Sequence, residues 1–97
     1  MYIYVIGNDT HQKIGISKHP EKRVKQLQTG NPIKLKIHRT IEVPDDRAEM
    51  VERLMHKEMS HKKRSGEWFE MTKEEAVNYL IYAEIRWVDD PLLEYKL

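Results

Sequence analysis

Three features of this 97-residue chain predict a small α+β fold. Two alternating apolar runs open it, a third lies near residue 35, and helix start and stop signals fall between and after them. The expected order is β-β-α-β-α-(β)-α, a three-stranded antiparallel sheet flanked by helices. Residues 1–90 should form one domain, with 91–97 as a loosely held tail.

The first two runs, Tyr2–Ile6 and Lys13–Ile16, are rich in β-branched and aromatic residues and are separated by Gly, Asn, Asp and Thr, which reads as a hairpin. Pairing Gly7 with Gln12 across a four-residue turn sets Tyr4 opposite Gly15 and Ile6 opposite Lys13. Strand alternation then puts Ile3, Val5, Ile14 and Ile16 together on the other, core-facing side. Tyr4 and Lys13 fall a diagonal step apart, within reach of long side chains. Glycine opposite the phenol leaves room for a backbone or ligand to approach.

Pro20 suits the first position of a helix, and Gly30 with Asn31-Pro32 suits its stop. Pro20, Val24 and Leu27 share one face of this helix, and Arg23 beside them can lean toward the sheet. Ile33, Leu35 and Ile37 alternate with Lys34, Lys36 and His38, so the third strand should run from Ile33 to Val43. A second helix follows Pro44, with Asp46 and Glu49 at capping-box spacing and Ala48, Val51, Met55 and Met59 on its inner face. Glu52 lies at the margin of that stripe. It either takes a cation there or leans outward to pair with His56 or Lys57.

The basic run His61–Arg64 suits the end of this helix, and Ser65-Gly66 a break. Glu67–Met71 reads as a short extended segment whose rings dock on the core. Thr72 and Glu75 form a second capping box, opening a helix that buries Ala76, Leu80, Ala83 and Trp87.

The absence of cysteine excludes a disulfide framework and a zinc-thiolate site. The longest apolar run is far too short for a membrane span, so a cytoplasmic protein with no membrane partner is expected. Net charge is only +1, but its distribution is uneven. From His11 to Arg39 eight Lys or Arg face Glu21 alone, whereas from Ser65 onward eight acids face three bases. Such a basic half attracts phosphates, and Lys18, Lys22, Lys25, Lys34 and Lys36 are its candidate DNA contacts.

Tyr2-Ile3-Tyr4, then Lys13-Ile14-Gly15, then Arg23 in the first helix and Glu52 in the second follow the order of the GIY-YIG nuclease signature. The runs KIGIS, EKRVKQLQTGNP, ERLMHKEM and GEWF resemble the short phage and bacterial subgroup of that family, and the resemblance covers residues 2–71. It implies an endonuclease that hydrolyses DNA phosphodiesters using Mg²⁺, with Mn²⁺ able to substitute. On that resemblance Tyr4 is the general base, Lys13 its activator, Arg23 the holder of the scissile phosphate and Glu52 the metal ligand. A phenol ionises near about 10 in water, so a base of this type needs a cation close by. A guanidinium fork suits a phosphate, and Mg²⁺ needs only one or two carboxylates beside its waters. His56 is a possible accessory residue.

The chain departs from the signature at Tyr2, Lys13 and Leu27, and it carries Ser65-Gly66-Glu67 where an asparagine is usual. A monomer with one site should nick, and double-strand cleavage would need a homodimer or two events. Specificity would then be low, come from a dimer or a protein partner, or depend on DNA structure. Two rivals remain at this point: a noncatalytic nucleic-acid-binding module, and a phage protein acting through a host complex.

Overall fold

The computed structural model describes residues 1–64 and 68–89. A four-stranded antiparallel sheet with the order β3-β1-β2-β4 is built from β1 (Tyr2–Gly7), β2 (His11–Ser17), β3 (Lys36–Glu42) and β4 (Trp68–Glu70). Helices α1 (Pro20–Gln28), α2 (Asp45–Glu58) and α3 (Lys73–Ala83) complete the α+β fold. The fourth strand corrects the expected count of three. The short extended segment after the basic run adds to the outer edge of β2, pairing His11 with Glu70 and Lys13 with Trp68.

The hairpin has the register its alternation predicts: Tyr4 opposite Gly15, Ile6 opposite Lys13 and Gly7 opposite Gln12. Asn8 closes the turn by accepting from the backbone N–H of Thr10 at 2.8 Å and of His11 at 2.9 Å through Oδ1. One face of the sheet buries Ile3, Val5, Ile14 and Ile41 against Val51 and Met55 of α2, Met59 just after it, and Ala76, Leu80 and Ala83 of α3. The other face carries a smaller cluster of Tyr4, Ile6 and Leu35, covered by Val24 and Leu27 of α1.

Three local expectations are corrected. The third strand starts at Lys36 rather than Ile33, and Ile33 is 56% exposed. The amide of Gln28 holds this segment as a loop: Nε2 donates to the carbonyls of Asn31 at 3.1 Å and Ile33 at 3.0 Å, and Oε1 accepts from Leu35 N–H at 2.7 Å. Backbone groups satisfied in this way have no need of a strand partner. The capping box at Asp46 does not form, because the N-cap is Pro44 and Asp46 already lies inside the first turn. Finally, α2 ends at Glu58, so His61 falls in a following 3₁₀ turn, Ser60–Lys62, rather than in the helix. The expected break at Ser65-Gly66, the start of the extended segment at Glu67 and the tail 91–97 lie outside the described residues.

At α3 the sequence and structure agree in detail. Thr72 Oγ1 accepts from Glu75 N–H at 3.1 Å while the Glu75 carboxylate accepts from Thr72 N–H at 3.3 Å. Ala76, Leu80, Ala83 and Trp87 are buried. A single π-turn, Glu84–Val88, extends the helix. Among the described residues, no helix is long and apolar enough to cross a membrane.

Candidate active site

Tyr4 sits in the middle of β1, only 2% exposed, with its ring laid over Gly15 on the neighbouring strand. A Cβ at Gly15 would lie 2.7 Å from Tyr4 Cζ and closer still to its hydroxyl. The room that glycine leaves is therefore filled by the tyrosine itself, which corrects the expectation of a gap for a ligand at this point. Packing by Ile6, Leu35, Val24 and Leu27 holds the ring there.

Arg23 rises from α1 above the same place. Its Nε donates to the Tyr4 hydroxyl at 3.4 Å, and Nη1 donates to Gln26 Oε1 at 3.3 Å. The face-adjacent position read from Pro20, Val24 and Leu27 thus does bring the guanidinium to the sheet. Leu27, which stands one turn on, packs against the Tyr4 cluster and offers no polar group.

Lys13 shares the Tyr4 face of the sheet and is 7% exposed. Its ammonium lies 5.8 Å from the centre of the Trp68 ring, a cation–π distance. Trp68 is half-buried against the Tyr4 cluster, while Phe69 is fully buried on the other face. The ring beneath Lys13 went unread in the sequence. Alternation along β4 puts Trp68 and Phe69 on opposite faces, but only its pairing with β2 sets Trp68 beside Lys13.

Glu52 approaches β2 from the opposite face. Its side chain, 24% exposed, lines a polar depression of about 360 Å³ with Ile16, Glu49, Arg53 and His56. His56 Nε2 bonds to the carbonyl of Ile14 at 2.8 Å. A carbonyl can only accept, so this nitrogen carries the proton. The bond lies just past the last pairing of β4 and pins α2 to the edge of β2. The same Nε2 is 3.9 Å from Glu52 Oε1, and the imidazole meets the Phe69 ring edge-on at 5.0 Å. The proton on Nε2 goes to the Ile14 carbonyl, so His56 borders Glu52 without donating to it. Glu49, expected only as a capping partner, and Arg53, not among the expected site residues, sit beside Glu52, three residues before it and one after.

β2 stands between the two groups, with Tyr4 and Arg23 on one face and Glu52 on the other. Gly15 lies under Tyr4 and Arg23, and Ile16, the next residue, borders the Glu52 depression. The T5orf172 domain model matches residues 1–86. The chain belongs to the T5orf172 domain family. Comparison with curated proteins gave no match, and comparison with solved structures gave none either.

In this T5orf172 domain the five candidate DNA-contact lysines are all exposed, but they do not form one patch. Lys18 follows β2, Lys22 and Lys25 ride on α1, and Lys34 and Lys36 sit at the far end of the sheet beside the hairpin turn. Among the described residues no group of three or more His, Cys, Asp or Glu is arranged to hold a metal. Glu52 and Glu49 in one open polar depression nevertheless suit Mg²⁺, which needs only one or two carboxylates, keeps several waters and takes ligands from substrate phosphates.

Proposed function

We propose that this T5orf172 domain is a GIY-YIG-type endonuclease that hydrolyses DNA phosphodiester bonds with Mg²⁺ or Mn²⁺. The observation that carries the proposal is the approach of Arg23 Nε to the Tyr4 hydroxyl at 3.4 Å; Glu52 lies across β2, in the depression bordered by Ile16. Phosphodiester hydrolysis needs a proton acceptor for water and positive charge where the phosphoryl oxygens become more negative. Tyr4 supplies an oxygen fixed by packing and Arg23 a planar fork suited to a phosphate. Lys13, on the same face, adds positive charge.

Glu52 would hold the metal, which when bound supplies charge stabilisation for the leaving 3′-oxygen. His56, hydrogen-bonded to the Ile14 carbonyl, borders that carboxylate at 3.9 Å. The products would be a 5′-phosphate and a 3′-hydroxyl, as the resemblance implies. A single site of this kind nicks one strand, so double-strand breaks would need a homodimer or a protein partner that delivers a second site.

Supercoiled plasmid incubated in Mg²⁺, Mn²⁺ or EDTA tests this directly, with Glu52→Gln and Tyr4→Phe alongside. Metal-dependent conversion to open circles by the wild type, lost in both variants, is expected. Equal inertness of all three proteins, with plasmid still shifted in a gel, would replace the nuclease by a noncatalytic DNA-binding module.

A further inference from the structure

The end of the sheet at the hairpin turn gathers cations that the proposed chemistry does not use. Lys34, Lys36, His38 and Lys73 line one depression of about 300 Å³ together with Gly7, Asn8, Asp9 and Ile33. The three lysines and His38 come from three places in the chain: the loop before β3, β3 itself and the start of α3. The β1–β3 register shifts between Val5 and Ile6, which leaves His38 as the extra residue of a bulge. From there His38 Nε2 bonds to the Asn8 carbonyl at 3.3 Å, so that the imidazole borders the turn.

Lys73 is the first residue of α3, where the helix dipole disfavours a cation. Among the described residues its one acidic neighbour in the depression is Asp9, 92% exposed and 4.0 Å away, a separation at which a surface pair is weak. Three ammonium groups against one solvated carboxylate leave the recess positive. The amides of α3 are not the source of that charge, since the Thr72–Glu75 capping box closes the helix end. Glu74 lines the adjoining recess with His38 and Lys73 and marks the boundary of the positive surface.

We infer that this recess is a second anchor for DNA, holding a backbone phosphate away from the one cut. The inference rests on DNA being the substrate class proposed for the Tyr4–Glu52 site. Gly7, at the mouth of the recess, lies three residues along β1 from Tyr4, roughly 10 Å of strand. The two contacts are therefore separated by on the order of three base pairs of duplex. Lys36 of β3, Lys73 of α3 and Lys34 of the preceding loop would supply the charge for that phosphate.

The test is fluorescence anisotropy of a labelled 20-base-pair duplex in EDTA, where cleavage cannot occur, from 50 to 200 mM NaCl. The double variant Lys36→Ala/Lys73→Ala should lose about 0.9 from the slope of log affinity against log salt, the share of one phosphate. At 100 mM salt it should bind several-fold more weakly than wild type. The pair Lys36→Arg/Lys73→Arg should restore both values, and Arg86→Gln, on the far side of α3, should change neither. Wild-type slope and affinity in the alanine pair, with melting unchanged, would overturn the anchor, as would absence of duplex binding by the wild type. Failure of the nuclease proposal is read separately, as binding without nicking in Mg²⁺.

Discussion

Arg23 Nε and the Tyr4 hydroxyl meet at 3.4 Å over a residue that has no side chain, Gly15. One comes from the first helix and the other from the first strand, nineteen residues apart. Their meeting depends on the hairpin register, because a slip of one residue would turn Tyr4 into the larger core. A cation at this point stabilises negative charge on any oxygen placed there, whether of phenol or phosphate.

Arg23→Ala should therefore depress plasmid nicking far more than it changes folding. Removing a donor aimed at developing charge costs about 10²–10³ in rate. Arg23 is only half-buried, so melting temperature should move little. Arg23→Lys should recover part of the loss, since the charge returns without the fork. Nicking at the wild-type rate in Arg23→Ala would remove the arginine from the chemistry.

Gly15→Ala probes the same contact from below. The new Cβ would lie within 2.7 Å of Tyr4 Cζ, so the ring must shift out of its packed position. Overpacking of this kind costs about 1–3 kcal/mol. Chemical denaturation should show that loss, and nicking should fall with it because the hydroxyl leaves Arg23. Adding Tyr4→Phe to Gly15→Ala should bring little further loss of activity, as the two changes disable one arrangement.

The hairpin and the inner faces of α2 and α3 were legible because alternation, periodicity and turn residues all agree there. Tyr4, Arg23 and Glu52 could be ranked as candidates from their order and helical positions. What the sequence hid was side-chain bonding at a distance. The period of Ile33, Leu35 and Ile37 continues the strand pattern, yet three hydrogen bonds from Gln28 fix the first two in a loop. The Lys13–Trp68 contact required knowing that β4 joins β2, and the His56 bond to Ile14 required knowing where β4 stops.

The two capping-box spacings give a direct contrast between pattern and structure. Thr72→Ala should cost about 1 kcal/mol, because it leaves the Glu75 N–H without its acceptor. Asp46→Ala removes no cap and only the attraction of a first-turn carboxylate for the helix dipole. Urea titrations in low and high salt separate the two. The Asp46 effect should vanish in 1 M NaCl, and the Thr72 effect should persist. A salt-resistant loss at Asp46 would mean that its side chain caps α2 after all.

β4 is short, and an exposed ion pair helps to fasten it. Arg64 Nε donates to Glu70 Oε2 at 2.5 Å, and Arg64 N–H donates to the Trp68 carbonyl at 2.9 Å. The hydrogen bond and charge of Arg64 hold the Glu70 carboxyl below its ordinary range. A carboxyl whose folded value is lowered binds its proton more tightly when the chain unfolds. Its stabilisation is thus present above the unfolded value, near about 4.3, and is lost as pH falls through the lower folded value. Glu70→Gln should accordingly be less stable than wild type at pH 7 by a small amount, as for other exposed pairs. The gap should close as the pH falls below about 4 and should shrink in high salt. Hydrogen exchange of the Phe69 and Glu70 amides should report the same trend, since fraying of β4 exposes them first. A gap that stayed constant down to pH 2.5 would show that Glu70 stabilises β4 by something other than its charge.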